Sequence, residues 1–453
     1  MVMAKARRGN ITVDGFEGVN DLLNPFDLGD LEGNWLVDAQ NVDIDDGKSI
    51  KRRPGTVKLD SFTNPHSLWS DGDRTLFAEQ GNLHRVDQLT DTTISATIVL
   101  SGAGDTKFGY AKAHDKIYFS NEKKNGMLLA DGTFHGWGVE TPSGQPSLST
   151  TTGALKIEKS VSVFVAYIDD LGRESGASGI STLETSGTTG VQLTNIPVPS
   201  SSEVENKVIY ATPPDGDEFY MIDVVSTGTT TYSITSLLHK TVHAETLFLS
   251  APPLGSLVGA ESGRVFVAKG KNLYMSEPLM YHLFNMREGY FPFPEDISII
   301  ATVEGGIYVA ADQTYFIPLT GEPELATVLP YGAVPGSVTY LAGEDIGEGQ
   351  GQQWAGWISE HGYVLAGPGG SIRNITEDRT AIKPANEGAS ISRSDNGYTR
   401  LTATYRPGGE SAGVRATDYV EATVVKSPAV STLNTADNYN YTADSEEISA
   451  DAE

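Results

Sequence analysis

"RTLFAEQGNLHRVD", residues 74–87, places two short runs of strand-forming residues on either side of a Gln-Gly-Asn turn. Three or four β-type residues, a small residue and a turn, then a second short run, is a hairpin pattern. The same design returns in "DKIYFSNEKKNGMLLAD" (115–131), "GRVFVAKGKNLYMSEP" (263–278), "GGIYVAADQTYFIP" (305–318) and "HGYVLAGPGGSIRNI" (361–375), with Ala78, Ser120, Ala268, Ala310 and Ala366 as the small residues. An isolated hairpin is marginal in water, so a series of them must stack or circle a common axis to bury its apolar faces. Another candidate strand precedes each hairpin: "SLWS" at 67, "FGYAKA" at 108, "SLVGA" at 256, "ISIIATV" at 297 and "QQWAGWIS" at 352. Strand followed by hairpin is most of a propeller blade. Five such units are legible, and residues 398–425, with "YTRLTATY" and "YVEATVV", supply a divergent sixth. The competing reading is a sandwich or meander whose hairpins resemble one another by chance.

Residues 140–250 interrupt the series. "VSVFVAYIDDLGRESGASG" (161–179), "VQLTNIPVP" (191–199) and "NKVIYATPPDGDEFYMIDVV" (206–225) form longer strands separated at sandwich-like intervals. Tyr167, Val191, Leu193, Ile209 and Phe219 are the expected core, and Pro142/Pro146 and Pro252/Pro253 mark the ends of the module. The expected architecture is all-β: an N-terminal arm with a docking strand-turn-strand (1–60), first propeller-like blades (61–140), an inserted fibronectin-III-like β-sandwich (141–252), further blades (253–425) and an acidic, flexible tail (426–453). One short helix is expected near "NPFDLGDLEGNWLVDAQ" (24–40), where Leu28, Leu31, Trp35, Leu36 and Ala39 fall at spacings of three and four behind Asn24 or Asp27 as cap.

Composition agrees with many tight turns, since the chain carries 49 Gly and 22 Pro. Without cysteine there is no disulfide, thiolate zinc site or thiol nucleophile. The basic N-terminus leads into no apolar signal-like run, and no stretch approaches the ~20 apolar residues of a membrane helix, so synthesis and solubility in a cytoplasm are expected. A net charge of -27 disfavours gripping a phosphate backbone, which depends on Lys and Arg replacing counterions. The same charge suits the wall of a passage along which DNA slides without sticking, or serves solubility alone.

Chemistry-bearing motifs are few. "NVDIDDGKSIKRRPG" (41–55) sets Asn41, Asp43 and Asp45 at calcium-loop spacing, but Asp46 stands where glycine is required and Arg52 where the twelfth-place glutamate belongs. It reads instead as strand, Asp46-Gly47 turn and strand. His239 and His243 in "HKTVH" have a zinc-compatible spacing without the accompanying HExxH pattern. "SDGDRTLF" (70–77) has the wrong spacing for a sialidase Asp-box, and "DLGRES" (170–175) reads as a solvated hairpin end. No catalytic, cofactor-binding or metal-binding residue is assigned, and no enzyme activity is expected. A carbohydrate-binding or glycan-cleaving propeller is the alternative, with Trp69, Trp137, Trp354 and Trp357 as sugar platforms.

"DAQNVDIDDGKSIKRRPG" (38–55) resembles an N-terminal signature of tailed-phage virion proteins, and "VSVFVAYIDDLGRESGAS" with "LTNIPVP" and "KVIYAT" is similar to their fibronectin-III-like modules. A propeller interrupted by such a module resembles the tail nozzle (tail tubular) proteins of short-tailed phages. The resemblance implies a structural virion protein of the phage tail: a homo-oligomer of six copies forming a tube below portal and adaptor, through which DNA leaves without specific binding. Asn41, Lys51, Arg52, Arg53, Pro54 and Gly55 are the residues expected at a subunit or adaptor interface.

Overall fold

The computed structural model describes residues 15–31, 33–39, 42–44, 48–53, 59–60, 62–236, 241–320, 325–377, 379–380, 382–395, 398–407 and 418–424. Among them there is no α-helix, only strands and three short 3-10 turns. The fold is all-β, and the chain divides into two compact units, Leu59–Ile300 and Met1–Lys58 with Ala301–Glu453.

In the first unit, His66–Ser70, Thr75–Glu79, Asn82–Leu89 and Ile94–Leu100 pair in chain order as one antiparallel blade. Gly109–Ala113, Lys116–Ser120, Asn125–Leu128 and Phe134–His135 form the second. Leu257–Glu261, Arg264–Lys269, Asn272–Glu277 and Met280–Phe284 form the third, with Tyr290–Pro292 added beside Asn272–Glu277. These are propeller-like meanders, each sequence neighbour hydrogen-bonded to the next. Gln80-Gly81 and Ser262-Gly263 turn their hairpins with both residues at positive φ, the geometry that matches strand twist. Gly109 is required for a different reason. A Cβ there would stand 2.6 Å from the Ser256 carbonyl oxygen and the Val258 nitrogen, so the first strands of blades two and three meet backbone to backbone.

Blades one and two are pinned by one carboxylate. Asp71, almost fully buried, accepts the Arg74 amide at 2.7 Å, the Arg74 guanidinium at 3.0 Å and the Lys112 ammonium at 3.0 Å from the next blade. Burial alone would raise its pKa, but the Arg74 amide, Lys112 and the Arg74 side chain together bring it from 3.8 to about 2. A carboxyl depressed on folding stabilises above its unfolded pKa, and the contribution disappears as pH falls through the folded value. Asp71→Asn is therefore expected to cost about 2 kcal/mol at neutral pH, and the gap from wild type should close between pH 4 and about 2 in urea titrations.

The inserted sandwich sits in the same unit. Ser147–Ile157, Gly187–Thr194 and Tyr232–Ile234 make a three-stranded sheet, and Ser181–Glu184, Ser160–Asp169, Val204–Ala211 and Tyr220–Ser226 a four-stranded one. Val161, Val163 and Val165 face the inter-sheet core with Val191, Leu193 and Ile209. Phe164 and Ala166 alternate to the opposite face and pack with Tyr210 and Phe219, while Tyr167 joins Val139 and Val204. All five residues expected in the core are buried, but they serve three clusters, because Ser160–Asp169 is covered on both faces.

The second unit holds a fourth blade (Ile299–Val303, Gly306–Ala310, Thr314–Pro318, Ala326–Leu329), which opens at the division between the units. Its fifth blade comprises Thr339–Ala342, Gln353–Ser359, Gly362–Ala366 and Ile372–Asn374. A three-stranded sheet follows, from Ala385–Asp395, Tyr398–Pro407 and Asp418–Val424. Two expectations need correction. The hairpin at 361–375 is the third and fourth strand of its blade, not the second and third, because Thr339–Ala342 opens that blade. The helix expected over residues 28–39 is a 3-10 turn, Asp27–Asp30, followed by the strand Asn34–Leu36. Gly29 and Gly33 disfavour helix, the turn ends where Leu31 becomes extended, and Gly33 at φ 81° leads into the following strand.

Candidate functional site

Among the described residues, a cluster of chemistry-bearing side chains lies where the sandwich leaves blade two. The apolar strand Ser160–Asp169 ends on a carboxylate, and Gly172 at φ 74° turns the chain so that Arg173 folds back onto it. Asp169, fully buried, accepts the Leu171 amide at 3.1 Å and the Arg173 amide at 2.8 Å on one oxygen. Its other oxygen takes the Arg173 guanidinium through Nε at 2.8 Å and Nη2 at 2.7 Å. The remaining donors of Arg173 cross to the end of blade two, reaching the carbonyls of Trp137 at 2.7 Å and Gly136 at 2.8 Å.

His135, in the last strand of that blade, completes the joint. Its Nε2 lies 2.6 Å from Asp170 and its Nδ1 lies 3.1 Å from Arg173 Nη2, so one tautomer donates to the carboxylate and accepts from the guanidinium. The His135 hydrogen bond is the first cause holding the Asp170 carboxyl below its ordinary pKa. Glu203 accepts the Gly136 amide at 3.1 Å, and Glu140 accepts the amides of Ser200 and Ser201. Trp137 is buried and donates Nε1–H to the Tyr281 carbonyl of blade three at 2.8 Å.

Alongside, the His282 ring lies 3.1 Å from the Glu174 carbonyl, and burial with the nearby Arg173 charge pushes its pKa down to about 4. The fold thus holds this histidine neutral, and acidification from 6.5 through about 4 charges a buried ring and loosens the joint. Burial raises the Glu174 pKa, although Tyr210 and Thr246 hydroxyls donate to its carboxylate at 2.9 and 2.7 Å.

His135, Asp169 and Asp170 bring ligand-type atoms within 4.8 Å of one another. A guanidinium stands among them, however, and both ring nitrogens of His135 and both oxygens of Asp169 already have partners. The chemistry is that of a buried ion-pair joint, not of a cation centre. "DLGRES" is a solvated hairpin end only at its tip: Asp170, Leu171 and Gly172 are exposed, while the Arg173 side chain turns in against the buried Asp169 and the end of blade two. The signal in the sequence was an aspartate closing a strand with no exposed face, followed four residues later by arginine.

Of the residues expected at an interface, Lys51 and Arg52 lie exposed on the strand Ile50–Arg52. That strand pairs antiparallel with Val42–Ile44, Ile44 opposite Ile50, as the strand-turn-strand reading requires. Arg53 turns inward to Asp43 at 3.3 Å, and Asp43 also accepts from Arg400 on the strand Tyr398–Pro407 and meets Arg393 at 3.7 Å. Asn41, Pro54, Gly55 and the turn residues Asp46 and Gly47 lie outside the described residues, as does His239. His243 is exposed and packs on Tyr220 with ring centroids 4.4 Å apart. Asp71 of "SDGDRTLF" forms the inter-blade pin already described.

No protein-family model and no curated protein sequence matches the chain. Among solved structures, it is similar to a streptogramin B lyase at 13% identity and TM-score 0.32, over 75% of this chain and 90% of that one. A computationally designed protein, Ika8, aligns at 10% identity and TM-score 0.23 over 74% and 91%. Apo AztD from Citrobacter koseri aligns at 11% and 0.22 over 70% and 85%. Likeness at this level assigns no activity.

Proposed function

We propose that this chain is a non-enzymatic structural subunit of a tailed-phage virion, a nozzle-type tail component whose copies close into a ring around an anionic passage for DNA. The observation that carries this reading is the use made of the polar residues. His135, Asp169, Asp170, Glu140 and Glu203, side chains capable of acid-base work, are instead hydrogen-bonded partners that, with Arg173, fasten an inserted module to its blades. Such a joint suits a rigid load-bearing part. The net charge of -27 is consistent with a bore that repels the DNA backbone.

The glycan-acting alternative draws less support. Trp137, Trp354 and Trp357 are buried core residues, and Trp69 is half-buried with its ring stacked on Tyr110 at 5.6 Å. Purified full-length protein viewed by electron microscopy is expected to show closed rings with a central hole, and labelled antibody should mark the tail axis of virions. Monomers that turn over glycans would overturn the proposal.

A further inference from the structure

The N-terminal arm carries an apolar knob that is preorganised and uncovered. Asn20 is buried, and its side-chain oxygen accepts the amides of Leu22 and Leu23 at 3.2 Å each. Asn24 Oδ1 accepts the Phe26 amide at 3.1 Å, and its carbonyl takes the amides of Asp27 and Leu28 at 2.8 and 3.2 Å. Leu28 points inward and is buried. With its interior fixed in this way, the loop presents Leu22, Leu23, Phe26 and Leu31 outward, and Phe26 is 90% exposed. A large ring held out by an ordered loop has already lost the conformational freedom that docking would otherwise cost. Asp27, exposed and without an ion pair among the described residues, sits beside it.

The same arm offers a complementary surface. All three residues of the strand Ile50–Arg52 are exposed, and among the described residues this strand has one neighbour, Val42–Ile44. It therefore shows an apolar side chain, Ile50, next to a cation, Arg52, which has no ion pair among the described residues. One surface is apolar with an acid and the other apolar with a base, and both belong to every copy. We propose that the 21–31 knob of one copy docks on the Ile50–Arg52 strand of a second copy, with Phe26 packing on Ile50 and Asp27 pairing with Arg52. Two different patches on one chain make a head-to-tail contact, the type that closes into rings. This inference rests on the ring reading above and names its interface.

The test uses the full chain, with native mass spectrometry and light scattering on wild type, Phe26→Asp, Asp27→Arg, Arg52→Asp and the double exchange of the two charges. Phe26→Asp is expected to weaken association on the order of tenfold or more, with circular dichroism and melting unchanged because the ring is outside the core. Each single charge variant should also weaken it, and the double exchange should restore assembly. Rings that persist in Phe26→Asp and in both single charge variants, or a double exchange that restores nothing, overturn this interface and leave the ring reading standing. Wild-type protein that stays monomeric at every concentration overturns both.

Discussion

Arg173→Ala is expected to remove about 3–5 kcal/mol of stability, the cost of leaving a buried charge without its counter-ion. Asp169 would keep only its two backbone donors, and the carbonyls of Trp137 and Gly136 would lose theirs. Arg173→Lys should recover part of the loss, since an ammonium supplies the charge but cannot span Asp169 and two carbonyls as a planar fork does. Hydrogen exchange resolves where the damage falls: amides of Phe134–His135 and of the turn after Ser160–Asp169 should exchange faster, while those of Gly187–Thr194 in the far sheet should be least affected. The double variant Asp169→Asn/Arg173→Ala should cost less than the sum of its single changes. A loss under about 1 kcal/mol for Arg173→Ala would mean the joint bears no load, and the case for a rigid structural part would lose its main support.

The contrast between what the sequence revealed and what it concealed follows from range. Hairpins such as 74–87 and 263–278 were legible because their period-two pattern and their turn residues are local, and the structure places strands at both. The sandwich was legible for the same reason, from the long apolar alternation at 161–168. Thr339–Ala342 was not, because four residues beside an ordinary turn carry too little pattern to show which strand opens a blade. The joint was concealed more deeply. His135 and Asp170 are 35 residues apart and Arg173 meets the Trp137 carbonyl across 36, so nothing in either neighbourhood reports the other. The exposed look of "DLGRES" held for Asp170, Leu171 and Gly172 but not for Arg173, since a run of Asp, Gly and Arg has the composition of a solvated turn whether or not a blade covers part of it. The same limit applies to "KSIKRRPG", in which one arginine faces solvent and the next is tied to a strand 340 residues further along the chain through a shared aspartate.

That difference between neighbours makes the second large prediction. Asp43 is buried and is the common partner of Arg53, Arg393 and Arg400, with Arg400 itself about nine-tenths buried. Asp43→Ala withdraws the carboxylate from three guanidiniums and leaves Arg400 buried without its counter-ion beside the partly exposed Arg53 and Arg393, which should cost about 3–5 kcal/mol. Exchange should accelerate in Val42–Ile44 and in the facing strands Ala385–Asp395 and Tyr398–Pro407, because this one side chain fastens the start of the chain to its last sheet. Arg53→Ala should be milder, since Asp43 keeps two arginines. Arg52→Ala should fall within about 0.5 kcal/mol of wild type, as expected for an exposed side chain with no buried partner. A charge reversal meant to probe assembly must therefore use Arg52 and spare Arg53, whose loss would mix folding with association. Equal destabilisation by Arg52→Ala and Arg53→Ala would show that the two side chains do not divide the work in this way, and the assignment of Arg52 to an intermolecular contact would fall with it.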